Sequence, residues 1–155
     1  MDDVIRFIAD DILLIIMALG TVLLLRSVPV RHWLRDYSYV AMAGLTALLI
    51  GKLMSLLYQP AVARPFLELG QAPGAEYIDN PGFPSDHALL ATAIVVAVYA
   101  LTPYRKTAYI MAGLVVIMGV GRVLALVHTP LDVVGGIVAA LLGGLWYVGR
   151  ARAMR

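Results

Sequence analysis

The sequence predicts an all-α, polytopic membrane bundle of about five transmembrane helices, and three observations predict it. Apolar types fill 61% of the 155 residues and charged types only 14%, against roughly 45–50% and about 25% in a water-soluble domain. The mean hydropathy is +0.86. Apolar character is also gathered into five uncharged runs: Ile12 to Leu25, Tyr37 to Gly51, Ala88 to Thr102, Thr107 to Gly121 and Val133 to Gly149. A soluble globule of this length has too little interior for so much apolar surface, and disorder requires the opposite composition. The length suits one domain, residues 1–155.

Each run is shorter than the roughly 20 residues that cross about 30 Å of hydrocarbon, so each has to continue past a flanking polar residue. In the first, Phe7, Ile8 and Ala9 extend the pattern, but Asp10 and Asp11 interrupt it. The second continues beyond Lys52 through Leu53 to Tyr58. Between the second and third runs lies a connection, about Gln59 to Ser85, with five of the eight prolines and with Gly70, Gly74 and Gly82. Such a segment resists regular helix, and a loop this long in a compact protein is usually functional. Gly135-Gly136 and Gly143-Gly144 in the last run permit close helix packing, within or between chains, so the sequence leaves the oligomeric state open.

Charge placement orients the spans. Arg26, Arg31, Arg35, Arg105, Lys106, Arg150, Arg152 and Arg155 are eight of the twelve basic residues, and five spans put them on one side. By the positive-inside tendency that side is cytoplasmic, with the N-terminus outside and the C-terminus inside. The chain begins Met1-Asp2-Asp3, acidic where a secretory signal is basic, so no cleaved signal is expected. Cysteine is absent, which excludes disulfides and thiolate chemistry. The basic residues form no phosphate-tracking stripe, so nucleic acid is not an expected partner.

Six ionisable groups do not suit lipid: Lys52, Arg64, His87, Arg122, His128 and Asp132. Singly each has a bland reading: a snorkelling lysine, an interfacial arginine, a structural histidine, a helix-capping aspartate in Thr129-Pro130-Leu131-Asp132. The topology places all six on the outer face, however, and ionisable groups at membrane depth tend to line functional cavities. Three strong cations with two histidines and one carboxylate suit a multiply charged anion, phosphate above all. Ser85, after Pro84, is a natural N-cap, and the helix start behind it is an anion cradle. A carboxylate four residues after His128 is spaced to orient the imidazole as a nucleophile, and His87 has the ordinary pKa of a general acid at neutral pH. The carboxylate cluster of a magnesium site is missing, so neither metal nor cofactor is expected.

Lys52, Arg64-Pro65, Pro84-Ser85-Asp86-His87, and Arg122 followed by His128 and Asp132 resemble the three-part signature of the type 2 phosphatidic acid phosphatase superfamily. The resemblance implies a metal-independent lipid phosphatase. In it His128 is the nucleophile that forms a phosphohistidine, supported by Asp132; Lys52, Arg64, Ser85 and Arg122 hold phosphate; and His87 protonates the leaving group. The family's usual spacing after the lysine falls on Gln59-Pro60, whereas Arg64-Pro65 comes after eleven residues. Arg64 is preferred because glutamine offers no charged fork. Asp86 stands where many members have glycine, and five spans replace the usual six. Together with Arg64-Pro65-Phe66, Asn80 and Phe83, the Asp86 motif looks most like the bacitracin-resistance type of undecaprenyl pyrophosphate phosphatase. A polyprenyl pyrophosphate substrate and a bacterial cytoplasmic membrane, with the site facing outward, are therefore implied. The alternatives are a phosphatase of lipid monophosphates such as phosphatidate or phosphatidylglycerol phosphate, and a non-catalytic lipid-binding or transport protein.

Overall fold

The computed structural model describes residues 2–58 and 64–148; Gln59 and the basic tail residues Arg150, Arg152 and Arg155 lie outside them. All regular structure among the described residues is helical: α1 (Asp2–Arg6), a π-helical segment (Phe7–Asp11), α2 (Ile12–Ser27), a 3-10 turn (Val30–His32), α3 (Trp33–Leu57), the single-turn α4 (Pro65–Glu68), α5 (Asp86–Leu101), α6 (Arg105–Leu124) and α7 (Pro130–Gly143). The breaks fall where the backbone demands them. Pro29, Pro103 and Pro130 each follow a residue in extended conformation, since proline excludes the helical region for its predecessor.

Four helical stretches are long and apolar enough to cross a membrane: Asp3–Ser27, Val30–Leu57, Arg105–Leu124 and Pro130–Val148. The fifth expected span, α5, is apolar but shorter at 16 residues, roughly 24 Å at 1.5 Å per residue. Asp10 and Asp11 do not end the first helix as the sequence suggested. They occupy the π turn, whose extra residue rotates the chain so that Asp10 turns inward while Asp11 stays exposed. Large apolar side chains such as Leu45, Leu49, Leu56, Ile110, Val116 and Leu145 are exposed on the outer faces of the bundle, the arrangement expected where lipid replaces water as solvent.

Inside, Ile12, Leu13 and Ile16 of α2 pack with Val95 and Val98 of α5 and with Met111, Val115 and Met118 of α6. On the other side α7 packs against α5 and α3. Antiparallel alternation puts the ends of α3 and α6 and the starts of α5 and α7 at one end of the bundle. Arg26, Arg31, Arg35, Arg105 and Lys106 are therefore at the opposite end.

The paired glycines of α7 serve contacts within the chain. A Cβ on Gly135 would meet the Phe83 ring at 2.6 Å and Pro84 at 3.2 Å, and one on Gly136 would meet the Ser85 carbonyl oxygen and, at 3.0 Å, the Leu89 nitrogen. Gly143 lies as close to Ala43 and Ala47 of α3. Alanine at 136 gains about 1 kcal/mol of helix propensity but drives a methyl into backbone that has no room to move, an overpacking that costs typically 1–3 kcal/mol or more. Gly136→Ala should therefore lower the melting temperature in detergent. Gly113→Ala, at an exposed position with nothing within 4 Å of the new Cβ, should hold or raise it.

Candidate active site

Two helix starts meet at the centre of the site. Ser85 is fully buried as N-cap of α5, its hydroxyl accepting from the Ala88 N–H at 3.5 Å. Thr129 caps α7, with Pro130 in its first turn, through a reciprocal capping box. The Thr129 hydroxyl accepts from the Asp132 N–H at 3.2 Å, and the Asp132 carboxylate accepts from the Thr129 N–H at 2.6 Å. The starts are tied to each other, because the Ser85 N–H donates to the Asp132 carbonyl at 2.9 Å. Unpaired N–H groups and positive dipole ends are thus gathered in one place.

His128 lies just before this cap, 4% exposed, with Nδ1 3.5 Å from Asp132 Oδ2. The contact matches the spacing argument, with His128 at the entrance of α7, just before Thr129 and Pro130. Asp132 consequently serves both as the capping residue and as the partner of the imidazole. Burial pushes the His128 pKa below its ordinary value, with Asp132 the main opposing influence.

Arg64 joins the long connection to this histidine. Only 3% exposed, it donates through Nη1 to the Val127 carbonyl and through Nη2 to the Ile78 carbonyl (2.9 Å) and the Asn80 side-chain oxygen (2.7 Å). Its Nη1 also stands 3.4 Å from both ring nitrogens of His128. Burial lowers its pKa, opposed first by Asp132 and then by Asp86, and a guanidinium stays charged regardless. The neighbouring backbone follows the same plan. The Phe66 N–H donates to Leu126 O at 3.1 Å and the Gly74 N–H to Ala125 O at 3.0 Å. Three successive carbonyls of the α6–α7 turn are therefore satisfied by the 64–74 segment. Leu126 sits in that turn at φ 60°, a left-handed conformation that costs a side-chain-bearing residue roughly 1–2 kcal/mol and reverses the chain between Arg122 and His128.

Arg122 is 1% exposed at the end of α6, and its Nη1 meets Asp10 Oδ1 at 2.6 Å. The second Asp10 oxygen accepts the Glu76 N–H at 3.0 Å. The Nε atoms of Arg64 and Arg122 are buried with no hydrogen-bond partner among the described residues. His87 is half-buried in the first turn of α5, within electrostatic reach of Arg122, Asp10, His128 and Arg64. Lys52 stands apart from that group. It is exposed on α3 and lines a cavity of about 250 Å³ with Ser55, Asn80, Phe83, Pro84 and Asp86. Asp86 is exposed and accepts from the Asn80 amide at 3.4 Å. Among the described residues no three His, Cys, Asp or Glu side chains gather in a metal-holding group.

Residues 36–154 match the PAP2 superfamily. The chain belongs to that superfamily. This PAP2 chain is 32% identical over 111 residues to the bacitracin transport permease protein BcrC of Bacillus licheniformis, a match covering 70% of the chain and 52% of the relative. To the undecaprenyl-diphosphatase BcrC of Bacillus subtilis (strain 168) it is 30% identical over 110 residues, 70% of the chain and 54% of the relative. The chain thus spans about half the length of the curated relatives it matches. No solved structure matches it.

The motif residues of the PAP2 chain account for both histidines, both arginines, Ser85 and Asp132. They do not account for Asp10, whose only sequence signal is a pair of carboxylates inside an apolar run, or for the backbone acceptors of Arg64. Replacing Arg64 by lysine leaves a single ammonium for acceptors spread over Val127, Ile78 and Asn80. A buried acceptor left unpaired costs about 1–3 kcal/mol. Arg64→Lys should therefore lower the melting temperature and speed proteolysis of the 70–80 segment, whereas Lys52→Ala should leave both unchanged.

Proposed function

We propose that the protein is an integral-membrane lipid phosphatase that hydrolyses a polyprenyl pyrophosphate, undecaprenyl pyrophosphate in particular, to its monophosphate through a phosphohistidine. The observation that carries this reading is the meeting of Arg64, Asp132 and the His128 imidazole beside two helix starts. Asp132 and Arg64 also serve the helix cap and the loop seam, but those roles do not call for an imidazole between them, and together the three groups form a nucleophile, an orienting carboxylate and a fixed cation. The function named for the Bacillus subtilis relative supports the substrate class.

In the proposed mechanism Asp132 occupies Nδ1, so His128 attacks the terminal phosphorus through Nε2. The N–P bond forms as the P–O anhydride bond breaks, its electron pair leaving with the lipid monophosphate, which takes a proton from His87. Water then attacks phosphorus and gives a proton to His87, the N–P bond breaks, and orthophosphate departs. Arg64, Arg122, Ser85 and the α5 N–H groups stabilise the phosphoryl oxygens as charge builds. Lys52, at the rim, holds the second phosphate or the lipid side of the headgroup. The basic residues at the opposite end of the bundle support a site on the external face of the bacterial cytoplasmic membrane.

The test is a panel of lipid phosphates in detergent or liposomes. Phosphate release should be fastest from polyprenyl pyrophosphate and slower from phosphatidate and phosphatidylglycerol phosphate. His128→Ala should remove it by a factor of at least about 10³ while the variant still melts cooperatively. An acid-labile phosphoenzyme should be trapped on His128 of the wild type, and excess chelator should leave the rate unchanged. Release without His128, or its loss in chelator, would overturn the corresponding step.

The pH dependence follows from the depressed His128 pKa, because the attacking form is the neutral imidazole. The acidic limb of kcat/KM should lie below about pH 6.5, the ordinary imidazole value. Asp132→Asn, which removes the carboxylate that favours the protonated ring, should move that limb lower still while reducing kcat. A limb above 7, or one that rises in Asp132→Asn, would contradict the assignment.

A further inference from the structure

Asp10 belongs to none of the motif segments, yet it touches two parts of the site at once. Its Oδ1 lies 2.6 Å from Arg122 Nη1 and its Oδ2 takes the Glu76 N–H, so one carboxylate joins the first helix, the end of α6 and the long connection. The arrangement is built into the backbone. The π turn over Phe7–Asp11 swings Asp10 inward, and Gly121 lets the end of α6 lie directly on that turn. A Cβ on Gly121 would meet Ile8 Cγ2 at 2.6 Å, Ala9 N at 3.0 Å and Ile8 C at 3.1 Å. π turns inside helices occur frequently at functional sites.

The contact also divides the guanidinium. Nη1 is engaged by Asp10, while among the described residues Nε is buried without a partner and Nη2 makes no hydrogen bond. Those two nitrogens form the edge that binds two phosphate oxygens side by side. We propose that Asp10 is a positioning residue of the phosphate site, holding Arg122 by one edge so that its Nε–Nη2 edge is presented to the transferring phosphoryl group. The proposal rests on the phosphatase reading above and adds to it a residue from outside the signature. A guanidinium freed from this hold rotates about its long side chain, and a displacement of about 1 Å at a reacting group can reduce the rate roughly 100-fold.

The experiment compares Asp10→Asn, Asp10→Ala and Asp10→Glu with wild type, all in detergent. It measures kcat and KM on polyprenyl pyrophosphate, and the rise in melting temperature produced by orthovanadate, a phosphate-like oxyanion. Asp10→Asn keeps its one oxygen for Nη1 and gives up the Glu76 N–H; because the hold on Arg122 is kept, it should retain kcat and orthovanadate stabilisation to within about threefold. Asp10→Ala should lose about 10- to 100-fold in kcat and most of the stabilisation. Asp10→Glu keeps the charge but pushes the guanidinium by one methylene, and should lose at least about tenfold.

Should Asp10→Ala not fold, the other two variants decide: Glu active and Asn inactive would overturn the proposal, since charge and not position would then matter. A lower melting temperature with unchanged kcat, KM and orthovanadate response would equally overturn it, as a purely structural role. If wild type releases no phosphate from any lipid, the phosphatase reading fails, and the orthovanadate melts still judge Asp10. If wild type shows neither phosphate release nor orthovanadate stabilisation, both fail.

Discussion

A guanidinium removed from water inside an apolar bundle is tolerable only if the protein supplies its acceptors, and meeting that demand at Arg64 organises the site. The acceptors come from Val127 beside the histidine and from Ile78 and Asn80 in the connection that approaches it. One planar group thereby fastens a glycine- and proline-rich segment to the turn that carries His128. The hydrogen bonds of Phe66 and Gly74 to adjacent carbonyls extend the same seam. Without the buried charge, an irregular chain would have little reason to lie against the ends of apolar helices.

The second buried cation follows the same rule with a different partner. Arg122 meets Asp10, and the His128 imidazole that Arg64 approaches meets Asp132. Two cations and two carboxylates balance in net charge, but their donor groups are not all used. The carboxylates come from different elements, one at the start of α7 and one in the π turn. Asp132 is the more economical of the two, since the geometry that closes the capping box also brings its oxygen to Nδ1. A capping role and a chemical role are compatible in one side chain because a helix start is itself electropositive.

The helical class and the span positions were legible because lipid-facing helices leave an unmistakable compositional signature. The motif residues were legible because charges stand out against that background. Close packing at Gly135 and Gly136 was also readable as an opportunity, though not its partner, since small residues mark a close approach without naming what approaches. Asp10 escaped for a physical reason: helical periodicity assumes a constant rotation per residue, and a π turn breaks it. The isolation of Lys52 from the buried group escaped too, because topology fixes the end of the bundle where a side chain lies and not the direction in which it points.

The shortness of α5 bears on how a greasy substrate arrives. This helix falls roughly 6 Å below the thickness of an ordinary hydrocarbon layer, and Arg105 and Lys106 lie just beyond its far end, the kind of basic residues that favour the headgroup region. A span this short is met by local thinning of the bilayer or by headgroups sinking toward the protein, and Ser85 and His87 stand at its other end. Under the proposed function, an isoprenoid whose tail stays dissolved in the leaflet would slide its charged end sideways into such a dimple, with no need to be lifted into water.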